Sequence, residues 1–192
     1  MSSQGTGERS RLTIDYRNSM ADAVGEQHGV SDAMLDEIAP EVAAQHERLV
    51  AEHEAGGQRW MDLPSDTGLV EEIEAFAAEA RGRYRDFILV GIGGSSLGAI
   101  ATVQALAHPY RNLLPDESRG GPRFFVLDNP DPEKVAATLA AVDLPNTLVN
   151  VVTKSGQTAE TMANFLAARQ ALEAAVGRER AREQIEGYMR EV

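Results

Sequence analysis

The sequence predicts an α/β fold: a parallel sheet flanked by helices in three layers and wound in both directions, with a helical segment ahead of it. Three short apolar runs, at residues 87–91, 123–128 and 147–152, are bounded by charge, glycine or turn residues. That is how strands buried on both faces of a sheet read. Each run is followed by residues with helical spacing, and an alternation of this kind builds parallel sheets with right-handed crossovers.

Taken in order, residues 1–12 are polar and rich in glycine and serine, and are expected to be disordered. Residues 13–85 are expected to form a helical segment that packs on the strand-bearing part of the chain. Within it, Ser31 or Asp32 caps a helix carrying Met34, Leu35 and Ile38. A break is expected near Pro40, and a second helix through Val42, His46, Leu49 and Val50 ends at Gly56 and Gly57. Residues 60–66 form an irregular apolar connector, and Ser65 or Asp66 caps the next helix, which runs to Arg81.

Residues 86–192 carry the strands. A helix over 96–107 follows the first strand, and a loop rich in proline, glycine and charge spans 110–122. Pro132 opens the helix after the second strand. After the third, Met162, Phe165, Leu166 and Leu172 share one helical face, and a last helix is expected over 178–192. Three strands make a small sheet. A further strand is therefore expected in sequence beyond this chain, with the far side of the third strand left as an open edge.

The 192 residues hold no cysteine, which excludes disulfides and thiolate chemistry. The net charge of -12 argues against nucleic acid or an anionic membrane as partner. No apolar run approaches the ~18 residues of a membrane span, and the first residues lack the pattern of a secretory signal, so a cytoplasmic protein is expected. Nothing in the sequence calls for a metal or cofactor. Against this acidic background, any anionic ligand must be held by local donors.

Two loops offer such donors. The first, Gly91-Ile92-Gly93-Gly94-Ser95-Ser96-Leu97-Gly98, lies between a strand and its helix. It lacks the third glycine of a dinucleotide fingerprint and the Gly-Lys-Ser/Thr of a nucleotide P-loop. Its glycines let a ligand approach the backbone closely. The second, Thr153-Lys154-Ser155-Gly156-Gln157-Thr158, joins the third strand to its helix and contains one of only two lysines in the chain. Hydroxyls, a cation and amides at a helix N-terminus make a phosphate site in chemical terms. Each loop alone also fits a plain turn, and Thr158 also fits a simple helix cap.

Together with Ala159-Glu160-Thr161, these loops resemble the first sugar-isomerase (SIS) domain of the glucose-6-phosphate isomerase family, most closely its shorter bacterial type. The resemblance spans roughly residues 45–190. It implies phosphate binding by Thr153, Lys154, Ser155 and Thr158 with backbone help from Gly156 and Gln157, and contact with the sugar by Gly94 and Ser95. Thr153 stands where the family usually has serine, which keeps the hydroxyl; Gln157 stands where it usually has threonine. The implied reaction converts glucose 6-phosphate and fructose 6-phosphate through an enediol. The glutamate base, the histidine and lysine that help open the ring, and the arginine that stabilises the intermediate in that family have no counterparts in the motifs of this chain. The resemblance therefore implies an incomplete enzyme, homodimeric when whole, with no catalytic residue here. Two alternatives remain at this point: a non-catalytic phosphosugar-binding module, and a doubly wound domain whose loops merely turn.

Overall fold

The computed structural model describes residues 13–188. The expected disordered tail, residues 1–12, lies outside them, as do residues 189–192. The chain divides into two compact units between Leu63 and Pro64, so the helix that precedes the first strand clusters with the sheet and not with the earlier helices.

In the first unit a short helix α1 (Ala21–Val24) is closed by the bridge between Met20 and Val30. The long helix α2 (Asp32–Glu54) starts at Ser31, whose hydroxyl accepts from Met34 N at 3.2 Å. The expected break at Pro40 does not occur; α2 continues through it. No residue of α2 is buried, so the carbonyl one turn back, which Pro40 denies a donor, lies on a helix open to solvent. Gly56, with φ of 88°, turns the chain out of the helix.

In the second unit α3 (Thr67–Arg83) is capped by Asp66, which accepts from Leu69 N at 2.9 Å. The sheet consists of β1 (Asp86–Val90), β2 (Arg123–Leu127), β3 (Thr147–Val152) and β4 (Ile185–Tyr188), in the order β2-β1-β3-β4 with every neighbouring pair parallel. The helices between them are α4 (Gly94–Leu106), the single turn α5 (Asp116–Arg119), α6 (Pro132–Ala141), α7 (Ala159–Val176) and α8 (Arg178–Glu183).

The parallel α/β expectation holds, with two corrections. The last helix stops at Glu183, and Ile185–Tyr188 adds a fourth strand beside β3, so the edge expected to be open is paired. Buried Gln184 makes the change of direction: its side-chain amide donates to the carbonyls of Leu144, Pro145 and Thr147, and its own backbone carbonyl accepts from Val149 N. On α7, the face that is buried carries Thr161, Asn164, Ala168 and Leu172; Leu166 is half exposed.

One side of the sheet holds the main core: Ile88, Val90, Leu127 and Val149 against Val135 of α6, Ala168 and Leu172 of α7, and Ala181 of α8. The other side is thinner. There Leu148 packs on Ala80 of α3 and on Tyr84 just beyond its end, and Phe87 stacks on Phe124 with ring centroids 6.0 Å apart. At the amino-terminal edge, Asp86 is fully buried. It accepts from Arg123 Nε and Nη2 at 2.5 and 2.8 Å and from Asp143 N at 2.7 Å.

Candidate functional site

The sheet order decides where the two loops fall. β1 lies between β2 and β3, so the chain steps to one side after β1 and to the other to form β3. Ligands of open parallel sheets bind outside the carboxyl ends of the strands at such a reversal. Val90 at the end of β1 is paired with Val151 near the end of β3, so the loops that follow leave the sheet side by side.

Gly91 begins the first loop in a confined space. A Cβ there would stand 3.0 Å from Ser95 Cβ, 3.0 Å from Ser95 O and 3.1 Å from Val152 O. Backbone oxygens and a Cβ cannot swing aside, so glycine is what lets the first loop lie against the start of the second. Gly91→Ala is expected to cost about 2 kcal/mol, the usual scale of overpacking. Urea unfolding checks this, and a midpoint equal to the parent's would refute the close approach.

Gly93 turns the loop with φ of 58° and ψ of -122°, a conformation that suits glycine, and α4 starts at the next residue. The amides of Ser95, Ser96 and Leu97 fold back on Ile92 O, Gly93 O and Gly93 O at 3.2, 3.0 and 2.9 Å. Ser96 is buried and its hydroxyl donates to Gly93 O at 3.3 Å, so it braces the turn. The amides of Gly93 and Gly94 find no acceptor among the described residues, and a Cβ on either glycine would meet nothing within 4 Å. The loop thus presents bare backbone to open space, with half-buried Ser95 beside it.

The second loop is tighter and richer in donors. Thr153 Oγ1 accepts from Gly156 N at 3.2 Å, and Ser155 Oγ accepts from Gln157 N at 3.2 Å. A hydroxyl that accepts in this way keeps its own proton to donate. Gly156, with φ of 69°, makes the bend. Thr158 occupies the N-cap of α7, yet its side chain makes no capping bond. The hydroxyl is therefore not spent on the helix, contrary to the usual role of a threonine there. The first amide of α7 to find a backbone acceptor is Met162 N, bonded to Thr158 O at 3.0 Å; among the described residues those of Ala159, Glu160 and Thr161 find none. These amides form the positive end of the helix dipole. Glu160 is exposed in the same turn, where a carboxylate steadies the dipole.

The two lysines differ. Lys134 is bound to Asp128 at 2.5 Å, whereas Lys154 is exposed and forms no ion pair among the described residues. Lys154 is thus a cation with no anion of the described residues to satisfy it, on a chain of net charge -12. Ser155 and Gln157 are also exposed, while Thr153, Gly156 and Thr158 are half-buried. All of these expected site residues, together with Gly94 and Ser95 on the neighbouring loop, stand at one edge of the sheet. His108 accepts from Tyr110 N at 3.1 Å beyond the far end of α4, and His53 binds Asp62 at 2.7 Å in the first unit. Among the described residues no cluster of three or more acidic or histidine side chains is arranged for a metal ion.

Two further residues shape this edge without standing out in the sequence. Gly91 looks like one glycine among several, because its packing against Val152 depends on which strands are neighbours. Asn164 carries one visible signal, an amide on the inward stripe of α7.

A parallel α/β domain with a donor-rich loop at its switch point has the chemistry to receive an anion there. Comparison with known proteins narrows it. The family model for phosphoglucose isomerase matches residues 67–189, and the chain belongs to that family. It is 42% identical over 171 residues to a glucose-6-phosphate isomerase of Rubrobacter xylanophilus, covering 86% of this chain and 36% of that protein. It is 44% identical over 109 residues to the glucose-6-phosphate isomerase of Carboxydothermus hydrogenoformans, covering 57% of this chain and 24% of the relative. Among solved structures, a hypothetical protein from Thermus thermophilus superposes with a TM-score of 0.63 at 35% identity, over 81% of this chain and 35% of that one. A glucose-6-phosphate isomerase from Chlamydia trachomatis gives 0.50 at 34% identity, over 60% and 20%. The chain thus spans about a third or less of the length of these relatives. No helix among the described residues is long and apolar enough to cross a membrane.

Proposed function

We propose that this chain carries the sugar-phosphate grip of a glucose-6-phosphate isomerase, the enzyme that interconverts glucose 6-phosphate and fructose 6-phosphate. The observation that supports it is the placement of two loops with unspent donors on adjacent strands. In this reading the hydroxyls of Thr153, Ser155 and Thr158 and the ammonium of Lys154 hold the phosphate. The backbone of Gly156 and Gln157 shapes the cradle, and Gly94 and Ser95 meet the sugar. The Ala159, Glu160 and Thr161 amides add the helix end to the phosphate.

Aldose–ketose exchange also needs an acid and a base to move a proton between two neighbouring carbons. The loops supply hydroxyls, amides and one lysine, and their only carboxylate, Glu160, lies in the helix turn. The chain by itself is therefore proposed to bind substrate without turning it over. The family resemblance brings a homodimeric full-length enzyme and a cytoplasmic location, and we propose both for the protein.

Calorimetry on the purified chain tests the grip. Glucose 6-phosphate is expected to bind and glucose is not. Equal heats from the two sugars, or none from either, would remove the proposal. A coupled assay of the same chain is expected to show no conversion of fructose 6-phosphate.

A further inference from the structure

Asn164 lies on α7, 2% exposed, well behind the loop that α7 carries. Its side-chain amide donates to Asn129 O at 3.2 Å and, more weakly, to Leu127 O at 3.4 Å. Both partners are carbonyls, so the NH2 group must be the end that faces them. Leu127 is the last residue of β2, and its carbonyl also accepts from Gly91 N at 3.3 Å. One carbonyl therefore receives the first amide of the glycine-rich loop and the amide of the helix behind the phosphate loop.

The segment between β2 and α6 is held at both ends as well. Asp131 accepts from Glu133 N and Lys134 N at 2.9 and 3.2 Å, and Lys134 is bound to Asp128. Between these anchors Asn129 and Pro130 are exposed at the carboxyl edge of the sheet, and the Asn129 carbonyl is tied to α7. The loops after β1 and β2 thus converge on one buried side chain of α7, the helix that follows the loop after β3, and on the carbonyl it touches. A buried amide is costly unless satisfied, and satisfied it fixes a single arrangement.

We infer that Asn164 is a positioning residue that keeps the glycine-rich loop and the Asn129 loop in register with the phosphate loop. This rests on the sugar-phosphate reading above. Its consequence is specific. Inorganic phosphate needs only the loop on α7, whereas a sugar phosphate needs that loop and its neighbour at a set distance. Loss of Asn164 must therefore weaken the two ligands unequally.

The test is Asn164→Leu, close in volume and without a donor, titrated with inorganic phosphate and with glucose 6-phosphate. Affinity for inorganic phosphate is expected to stay within about threefold of the parent. Affinity for glucose 6-phosphate is expected to fall about tenfold, the scale of one hydrogen bond of lost registry. Equal losses, or none, overturn the inference. If the parent itself shows no preference for glucose 6-phosphate over inorganic phosphate, the sugar reading fails and takes the inference with it. Preserved preference in both proteins removes the inference alone. Should the variant not fold, hydrogen exchange of the parent decides. Inorganic phosphate is expected to slow exchange at the Gly91 amide, and an unchanged rate overturns the coupling.

Discussion

Replacing Thr153, Ser155 and Thr158 together by alanine is expected to lower the affinity for glucose 6-phosphate by about a thousandfold. The magnitude comes from the chemistry of the loop. Each hydroxyl is free to donate, because Thr153 and Ser155 only accept from loop amides and Thr158 makes no capping bond. A hydrogen bond to a charged group contributes about 1.5 kcal/mol at the low end, so three give about 4.5 kcal/mol, or about three decades. Lys154 and the helix amides remain, so binding is weakened and not abolished. Thr153→Ser is the control: it keeps the hydroxyl and is expected to bind within about twofold of the parent, since no hydrogen bond is lost. Calorimetric titration of both variants reads the result. A triple variant that binds as tightly as the parent would move the phosphate to another place on the molecule.

The second large effect lies at the opposite edge of the sheet and concerns stability. Asp86→Ala is expected to lower the unfolding free energy by about 3–5 kcal/mol, the cost of breaking a buried ion pair from one side. Asp86 is 0% exposed and takes three donors, two from Arg123 and one from the Asp143 backbone. Its loss takes two hydrogen bonds from the guanidinium, which keeps the Ala141 carbonyl at 3.0 Å, the Phe125 ring at 5.5 Å and the weaker pull of the Asp116 and Asp143 charges. It also orphans an amide in the turn that leads to β3. The Arg123 guanidinium is held above the ordinary arginine range, chiefly by its hydrogen bonds to Asp86. An arginine stays charged in proteins even without such a partner, so the variant leaves that charge without its buried, hydrogen-bonded carboxylate. Adding Arg123→Met removes it and is expected to recover part of the loss. Urea denaturation of the single and double variants checks both statements. Sugar-phosphate affinity of the folded variants is expected to be unchanged, because Asp86 stands at the amino edge and the loops at the carboxyl edge. A double variant less stable than Asp86→Ala alone would contradict this balance of charges.

Much of the fold and of the site is legible in the residues. The three continuous apolar runs coincide with β1, β2 and β3 within a residue, because strands buried on both faces need no polar alternation. Asp66 and Asp131 cap the helices they precede, as short acidic side chains do. The second loop is recognisable as a donor cluster from composition alone. Other features depend on distance through space. β4 hides behind a helical pattern because its approach, Arg178–Glu183, is helical and its four residues are too few to show a period. Pro40 signals a helix break in the sequence, yet α2 continues through it, along a helix with no buried residue. The role of Gly91 and the reach of Asn164 follow from β1 sitting between β2 and β3, and no local pattern states that order.

The central place of β1 has a cost in time. Its neighbours arrive late: Asp86 pairs with Arg123 and with Thr147, which lie 37 and 61 residues further along the chain (123 minus 86 and 147 minus 86). At a synthesis rate of about 5–20 residues per second, β1 waits roughly 3–12 s before both sides can be covered. During that interval Phe87, Ile88, Leu89 and Val90 are an apolar segment with unpaired amides on a nascent chain. The arrangement that sets two loops side by side thus gives β1, the first strand made, the longest wait for its partners.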